Sequence, residues 1–433
     1  MTIPERIAAN DAIWLQDSDT NLMVINAVII TDRLTVATLR RTFQKRVFGG
    51  PDPARFQRLR CRIVTRESVS YWEEDPTFDI ARHIVPAQGK KLNSLKEIQA
   101  YVGRMANRKL DPRHPRWEIK VIERFEEGAS AILVRIHHCI GDGMALVSLM
   151  FALMDETWDR PDGLAKGSLP PIGGLNPFQI LQRAVAVSLS APSVLLRRLA
   201  WFSDSSHLHG PVLSGHKRVA WTEPLEMQVV KKAKDLIGAT VNDVLMATVS
   251  GAFATYLARK GAAAPDRFLV SMPVNVRHPG VPLRCENKFA AVPLELPFSS
   301  ADTSDRILAV KERLDQLKQS ATPLVVYGLQ RALLAFLPEV VSRGLIDFLA
   351  NKCTAVVTNV AGPAHDISLE GRKVRSILFW VPQRAQIGIG ISIISFAGKV
   401  QIGVIADKAL LPDPAHLVAA FEEEFESLKR LSK

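Results

Sequence analysis

Several features are scarce in this sequence, and each scarcity closes off a class of function. Four cysteines occur in 433 residues. Cys61, Cys139, Cys285 and Cys353 are far apart and form no Cys-x-x-Cys pair, so the chain reads as reduced and intracellular rather than disulfide-stapled. Histidine and cysteine nowhere gather at ligand spacing, and no metal is expected. No run of about 20 residues is free of charge and polar breaks, so no membrane span is expected. The nearest approach, Ile387 to Ala406, is interrupted by Gly398-Lys399 and reads as a β-hairpin. The opening residues MTIPERIAANDAIWL lack the apolar core of a signal peptide. Basic residues outnumber acidic ones 55 to 44, a net charge of +11, yet they form no block. Nucleic acid is therefore not the expected partner; a phosphate-rich cofactor or an anionic membrane surface suits the charge better. There is no internal repeat and no low-complexity tail.

What is present is a globular composition, 47% hydrophobic and 23% charged, in a chain long enough for two domains of about 200 residues. Its most informative stretch is AILVRIHHCIGDGMALVSLM, residues 131–150. An apolar run (Ala131 to Ile136) predicts a buried strand, and the apolar run from Met144 predicts a helix. Between them lie His137, His138, Gly141, Asp142 and Gly143. Strand side chains alternate, so the two imidazoles face opposite ways and only one can face a given cleft. Asp142 suits a helix N-cap, and the glycines permit a sharp turn. A histidine held at a strand end can act as a general base, though one there is more often structural. A strand over Trp117 to Ile122 would pair with the first as a hairpin.

Elsewhere, a short helix-like stretch covers Asp11 to Leu15, a strand Met23 to Thr31 and a helix Leu34 to Phe48. The Pro/Gly-rich stretch 157–175 reads as a linker. Residues 176–202 read as an amphipathic helix pair that either packs on the body or lies on lipid. Thr240 and Asp243 have capping-box spacing. Strands are expected at Phe268 to Val276, Asn287 to Leu296 and Val374 to Val381. A long apolar helical region, Leu324 to Leu349, is broken by Pro338. It reads as core or as one wall of an apolar tunnel.

HHCIGDG resembles the HHxxxDG motif of CoA-dependent acyltransferases and peptide-synthetase condensation domains. With Asn242-Asp243, the TNVAGP segment from Thr358 to Pro363 and the strand–helix ending, the whole chain resembles the wax ester synthase/diacylglycerol acyltransferase family. It departs from the family's Pro-Leu-Trp segment, carrying Pro115-Arg116-Trp117. The resemblance implies an α/β fold of two chloramphenicol-acetyltransferase-like domains, each a mixed β-sheet flanked by helices, with the active-site channel between them. The boundaries expected are 1–160 for the first domain, 161–215 for a linker with crossover helices, and 216–433 for the second domain.

It further implies transfer of a fatty acyl group from acyl-CoA, as co-substrate, to a fatty alcohol or diacylglycerol, with no permanently bound cofactor. His138 would be the general base. His137 would support the strand, Asp142 would brace the loop, and Gly143 would leave room for the pantetheine arm. Asn242 could orient the acyl carbonyl, with Asp243 beside it. Arg277, following Asn275 at a strand end, could pair with Asp142. Trp117 would brace the catalytic strand. A peripheral place at the inner face of a membrane or on lipid inclusions is expected. A condensation-type enzyme using a carrier-bound thioester, and a non-catalytic lipid-surface protein of the same fold, remain the alternatives.

Overall fold

A computed structural model describes residues 4–88, 92–156, 206–265, 267–277, 282–298, 302–320 and 322–431. The expected linker at 157–175 and the amphipathic segment at 176–202 lie outside the described residues. The strands, in chain order, are β1 (Glu5–Arg6), β2 (Val24–Asp32), β3 (Cys61–Arg66), β4 (Val69–Glu74), β5 (Ile84–Pro86), β6 (Trp117–Ile122), β7 (Ala129–His137), β8 (Lys217–Trp221), β9 (Leu225–Glu226), β10 (Phe268–Asn275), β11 (Phe289–Leu296), β12 (Ala355–Ala361), β13 (Ser368–Leu369), β14 (Arg372–Trp380), β15 (Ile389–Phe396) and β16 (Lys399–Asp407).

The chain divides into two units, and the division is not contiguous. The first holds residues up to 160 together with Pro282–Lys288 and Gly362–Pro382. This corrects the reading of 216–433 as one uninterrupted domain. Hydrogen bonding explains the excursion: β14 lies antiparallel to β2, from Val374 opposite Thr31 to Trp380 opposite Asn26. The Trp380 side chain is wholly buried.

In the first unit a six-stranded sheet runs β13-β14-β2-β7-β6-β5, beside a three-stranded sheet β1-β4-β3. β7 is central, flanked by β2 and β6, and is buried along nearly its whole length. That is why it reads as an unbroken apolar run rather than an alternating one. β6 and β7 form the expected antiparallel hairpin, with Trp117 opposite Ile136. The expected helix Leu34 to Phe48 is regular only over Val36–Phe43, capped by the Thr35 hydroxyl, which accepts from the Thr38 amide.

In the second unit the order is β11-β10-β12-β15-β16-β8, with β9 also pairing β16. β12 runs parallel to β10 and β15, so the sheet is mixed. β15 and β16 are the hairpin foreseen between Ile387 and Ala406; it turns at Ala397-Gly398, where both residues have positive φ. The helix Val241–Arg259 packs on this sheet, its Phe253 ring 4.8 Å from Phe268. Among the described residues no single helix is long and apolar enough to cross a membrane. The helical region at 324–349 resolves into Thr322–Phe336 and Glu339–Ala350, broken at Pro338, whose fixed ring cannot continue a helix. The strand expected from Asn287 starts at Phe289, because the amides of Asn287 and Lys288 donate to carboxylates instead of to the sheet.

Candidate active site

β7 delivers the two histidines, and the strand pattern persists through both. The His137 amide donates to the Arg116 carbonyl at 2.9 Å, and the His138 amide to the Met23 carbonyl at 2.7 Å. Consecutive amides thus reach opposite neighbours, and the side chains diverge accordingly.

His137 is held between Asp17 and Cys139. Its Nε2 lies 3.1 Å from Asp17 Oδ2 and its Nδ1 lies 3.0 Å from Cys139 Sγ. Burial works against a charged imidazole here, but Cys139 and Asp17 outweigh it and raise the pKa to about 9. In return the Asp17 carboxyl, although burial opposes it, is held below its ordinary value by His137.

His138 has the opposite electrostatics. Its ring stacks on Trp14, with centroids 3.9 Å apart and planes 15° apart. Burial pushes its pKa down to about 4, against the attraction of Asp142 and hydrogen bonding involving Asn287. Adjacent imidazoles are therefore separated into a cation and a neutral ring. Divergence of this kind between neighbouring titratable groups marks acid–base assignments in active sites.

The loop after the histidines is fixed from two sides. Asp142 caps the helix Gly143–Leu153, accepting from the Ala145 amide at 3.2 Å, and its Oδ2 accepts from the Lys288 amide at 2.9 Å. Gly141 passes so close to its surroundings that a Cβ there would lie 2.8 Å from the Ala145 Cβ and 3.4 Å from the Glu286 nitrogen. Gly143 is the first residue of the helix. Asn287 donates from Nδ2 to the His138 carbonyl at 2.8 Å and to Asp11 Oδ1 at 2.9 Å. Asp11 is buried and pairs with Arg58 at 2.8 Å. Burial raises its pKa, against the pull of Arg58 and Asn287.

Trp117 is buried at the start of β6. Its indole N–H donates to the Leu59 carbonyl at 2.7 Å, and its ring stacks between Phe43 and His83. It is thus placed to hold β6, and through β6 the end of β7. The other sequence-singled residues belong to the second unit. Asp243 completes a capping box with Thr240. Asn242 accepts from the Asn359 side-chain amide at 3.1 Å. Asn275 ends β10 and accepts from the amide of the buried Arg277. Among the described residues no three His, Cys, Asp or Glu side chains gather as a metal site.

Asp11, Trp14, Asp17, Arg58 and Asn287 were not singled out from the sequence. Asp11 and Trp14 lie in the short helical stretch foreseen at 11–15, but its pattern carries no sign that it meets residues 137, 138 and 287.

The family models and the named relatives point to one family. Residues 8–197 match the wax ester synthase/diacylglycerol acyltransferase catalytic domain, and residues 285–429 match the C-terminal domain of the same proteins. A Mycobacterium bovis protein named as a diacylglycerol O-acyltransferase is 25% identical over 413 residues, covering 87% of this chain and 85% of its own. A Mycobacterium tuberculosis protein of the same description matches with the same identity and coverage. Among solved structures, the wax ester synthase/diacylglycerol acyltransferase of Marinobacter aquaeolei aligns with a TM-score of 0.71 at 18% identity, covering 99% of both chains. The first condensation domain of the calcium-dependent antibiotic synthetase aligns with a TM-score of 0.63 at 14% identity, covering 100% of this chain and 96% of that one. These two likenesses concern the fold.

Proposed function

Because the chain belongs to the wax ester synthase/diacylglycerol acyltransferase family, we propose that it moves a fatty acyl group from acyl-CoA to the hydroxyl of a fatty alcohol or diacylglycerol, with His138 as general base. The observation that carries this assignment is the division of labour between the histidines. His138 is the one whose pKa burial pushes down to about 4, and its ring stacks on Trp14. His137 has its pKa raised to about 9 and is engaged on both nitrogens.

The chemistry follows from the neutral ring. An alcohol is a weak nucleophile at neutral pH. His138 takes the hydroxyl proton as the oxygen bonds to the thioester carbonyl carbon, a contribution of roughly 10²–10⁴-fold. The tetrahedral adduct collapses, the carbon–sulfur bond breaks, and the imidazolium returns its proton to the departing CoA thiolate. Thiolate leaves readily, so no covalent enzyme intermediate is required. The ester, free CoA and neutral His138 remain.

The test is ester formation from palmitoyl-CoA and hexadecanol, or from palmitoyl-CoA and a diacylglycerol. His138→Ala is expected to keep the fold and lose at least 10²-fold in kcat. Turnover near that of the parent would remove His138 from the base role. Free acyl-CoA as a competent donor separates this reading from a carrier-protein-dependent one.

Peripheral association with a membrane or lipid inclusion, at the inner membrane face, is part of the same proposal. It is supported by the net charge of +11 and by Phe336, Val340, Val341, Leu345 and Phe348, which are exposed on the helix pair 322–350.

A further inference from the structure

Asp11, Trp14 and Asp17 recur three residues apart along the helix Ala9–Ala12, the turn Ile13–Leu15 and the residues just after it. Each reaches the histidine pair by a different route. Asp11 Oδ1 holds the Asn287 side-chain amide, which donates to the His138 carbonyl. Trp14 lies face-on against the His138 ring. Asp17 engages the His137 ring through Oδ2, and its Oδ1 accepts at 2.7 Å from the amide of Met23, whose carbonyl receives the His138 amide. Backbone, base ring and supporting imidazole are thus all fixed by one seven-residue stretch.

We infer that residues 11–17 form a positioning clamp for the histidine pair, in which Trp14 sets the plane of the His138 ring and stabilises the imidazolium it becomes during acyl transfer. The inference rests on His138 being the base. Two physical points support it. The lone pair that takes a proton lies in the plane of the imidazole, so ring rotation misdirects it at once. A stacked indole restricts that rotation. In addition, a ring buried as deeply as His138 gains a positive charge at a cost. The electron-rich face of an indole offsets that cost, because it attracts a cation more strongly than a neutral ring. Trp14 is accordingly worth more in the transition state than in the resting enzyme, which is the condition for a residue to affect kcat. It is a positioning residue, since its contact is with the base.

Steady-state kinetics of Trp14→Leu and Trp14→Phe, with palmitoyl-CoA and hexadecanol, tests this. Trp14→Leu is expected to lose about tenfold in kcat, with KM for both substrates changed by less than about threefold. The acid limb of its kcat/KM profile should move to lower pH, because the imidazolium has lost its stacking partner. Trp14→Phe keeps an aromatic face and should recover most of the loss. Unchanged kcat in a folded Trp14→Leu, or a phenylalanine variant no better than leucine, overturns the clamp. If the leucine variant does not fold, Trp14→Phe decides alone: a two- to fivefold fall in kcat at unchanged KM supports it, and parental kcat overturns it. The His138→Ala control keeps the two failures apart. An active His138→Ala sinks the base assignment, whereas an inactive His138→Ala beside a fully active Trp14→Leu sinks only the clamp.

Discussion

Two imidazoles one peptide bond apart behave as different chemical species because their neighbours differ. Both rings are buried, but His137 has a carboxylate and a sulfur within hydrogen-bond reach of its nitrogens, while His138 has an indole against its face. The difference has a pH signature. The pKa of His137 is about 9 in the folded chain, against about 6.5 for an ordinary histidine. Its contribution to stability is therefore complete below pH 6.5 and is lost as pH rises through 9. His138, depressed to about 4, acts in the other sense, costing stability as pH falls from 6.5 toward 4. Urea unfolding midpoints measured between pH 6 and 9.5 should fall with rising pH in the parent. In His137→Gln this decline should be visibly shallower; a variant whose decline matched the parent's would remove His137 as its source.

At the scale of elements, the loop 138–142 owes its shape to the helix it starts and to residues 285–288. The cap at Asp142 is local and follows from the sequence Asp-Gly at a helix start, whereas its bond to the Lys288 amide follows only from the fold. A second element bears on the proposed lipid association. The helices Thr322–Phe336 and Glu339–Ala350 expose Phe336 and Val340 at 85% and 83%, more apolar exposure than a helix pair needs for its own packing. Lys352 lies over the Phe348 ring at 4.5 Å, so a cation borders the apolar residues. Sedimentation with phosphatidylglycerol-containing vesicles should pull down the parent and lose severalfold in Phe336→Glu/Val340→Glu. Equal binding by the two proteins would remove this helix pair from the proposed lipid contact.

At the scale of the whole molecule, the chain leaves the second unit twice to finish the first. Residues 282–288 supply Asn287 and the Lys288 amide, and residues 362–382 supply the strand beside β2. The first unit is therefore not encoded by the first half of the sequence alone. A chain ending at residue 281 would leave one edge of β2 unpaired and Asp142 without its Lys288 bond. It should be recovered insoluble, or soluble without a cooperative thermal transition. A sharp melt close to that of the full chain would contradict this account.

The sequence by itself determined whatever is written in neighbouring residues. The β6–β7 hairpin, the β15–β16 hairpin, the Thr240–Asp243 capping box and the Asp142 cap all depend on spacings of a few residues, and alternation alone separated His137 from His138. The resemblance carried by HHCIGDG and Asn242-Asp243 reached the family for the same reason. Tertiary structure decided what depends on distant parts of the chain. Nothing near Asp11 or Trp14 in sequence indicates that they would meet residues 138 and 287, and a strand-like 287–296 pattern does not show that its first two amides serve Asp11 and Asp142. Such contacts are chosen by burial and by the need to satisfy every buried donor, conditions set by the packed chain and not by any local stretch of it. The acid–base character of His138 belongs to that second class: two histidines side by side are equals as letters, and only their surroundings leave one of them neutral.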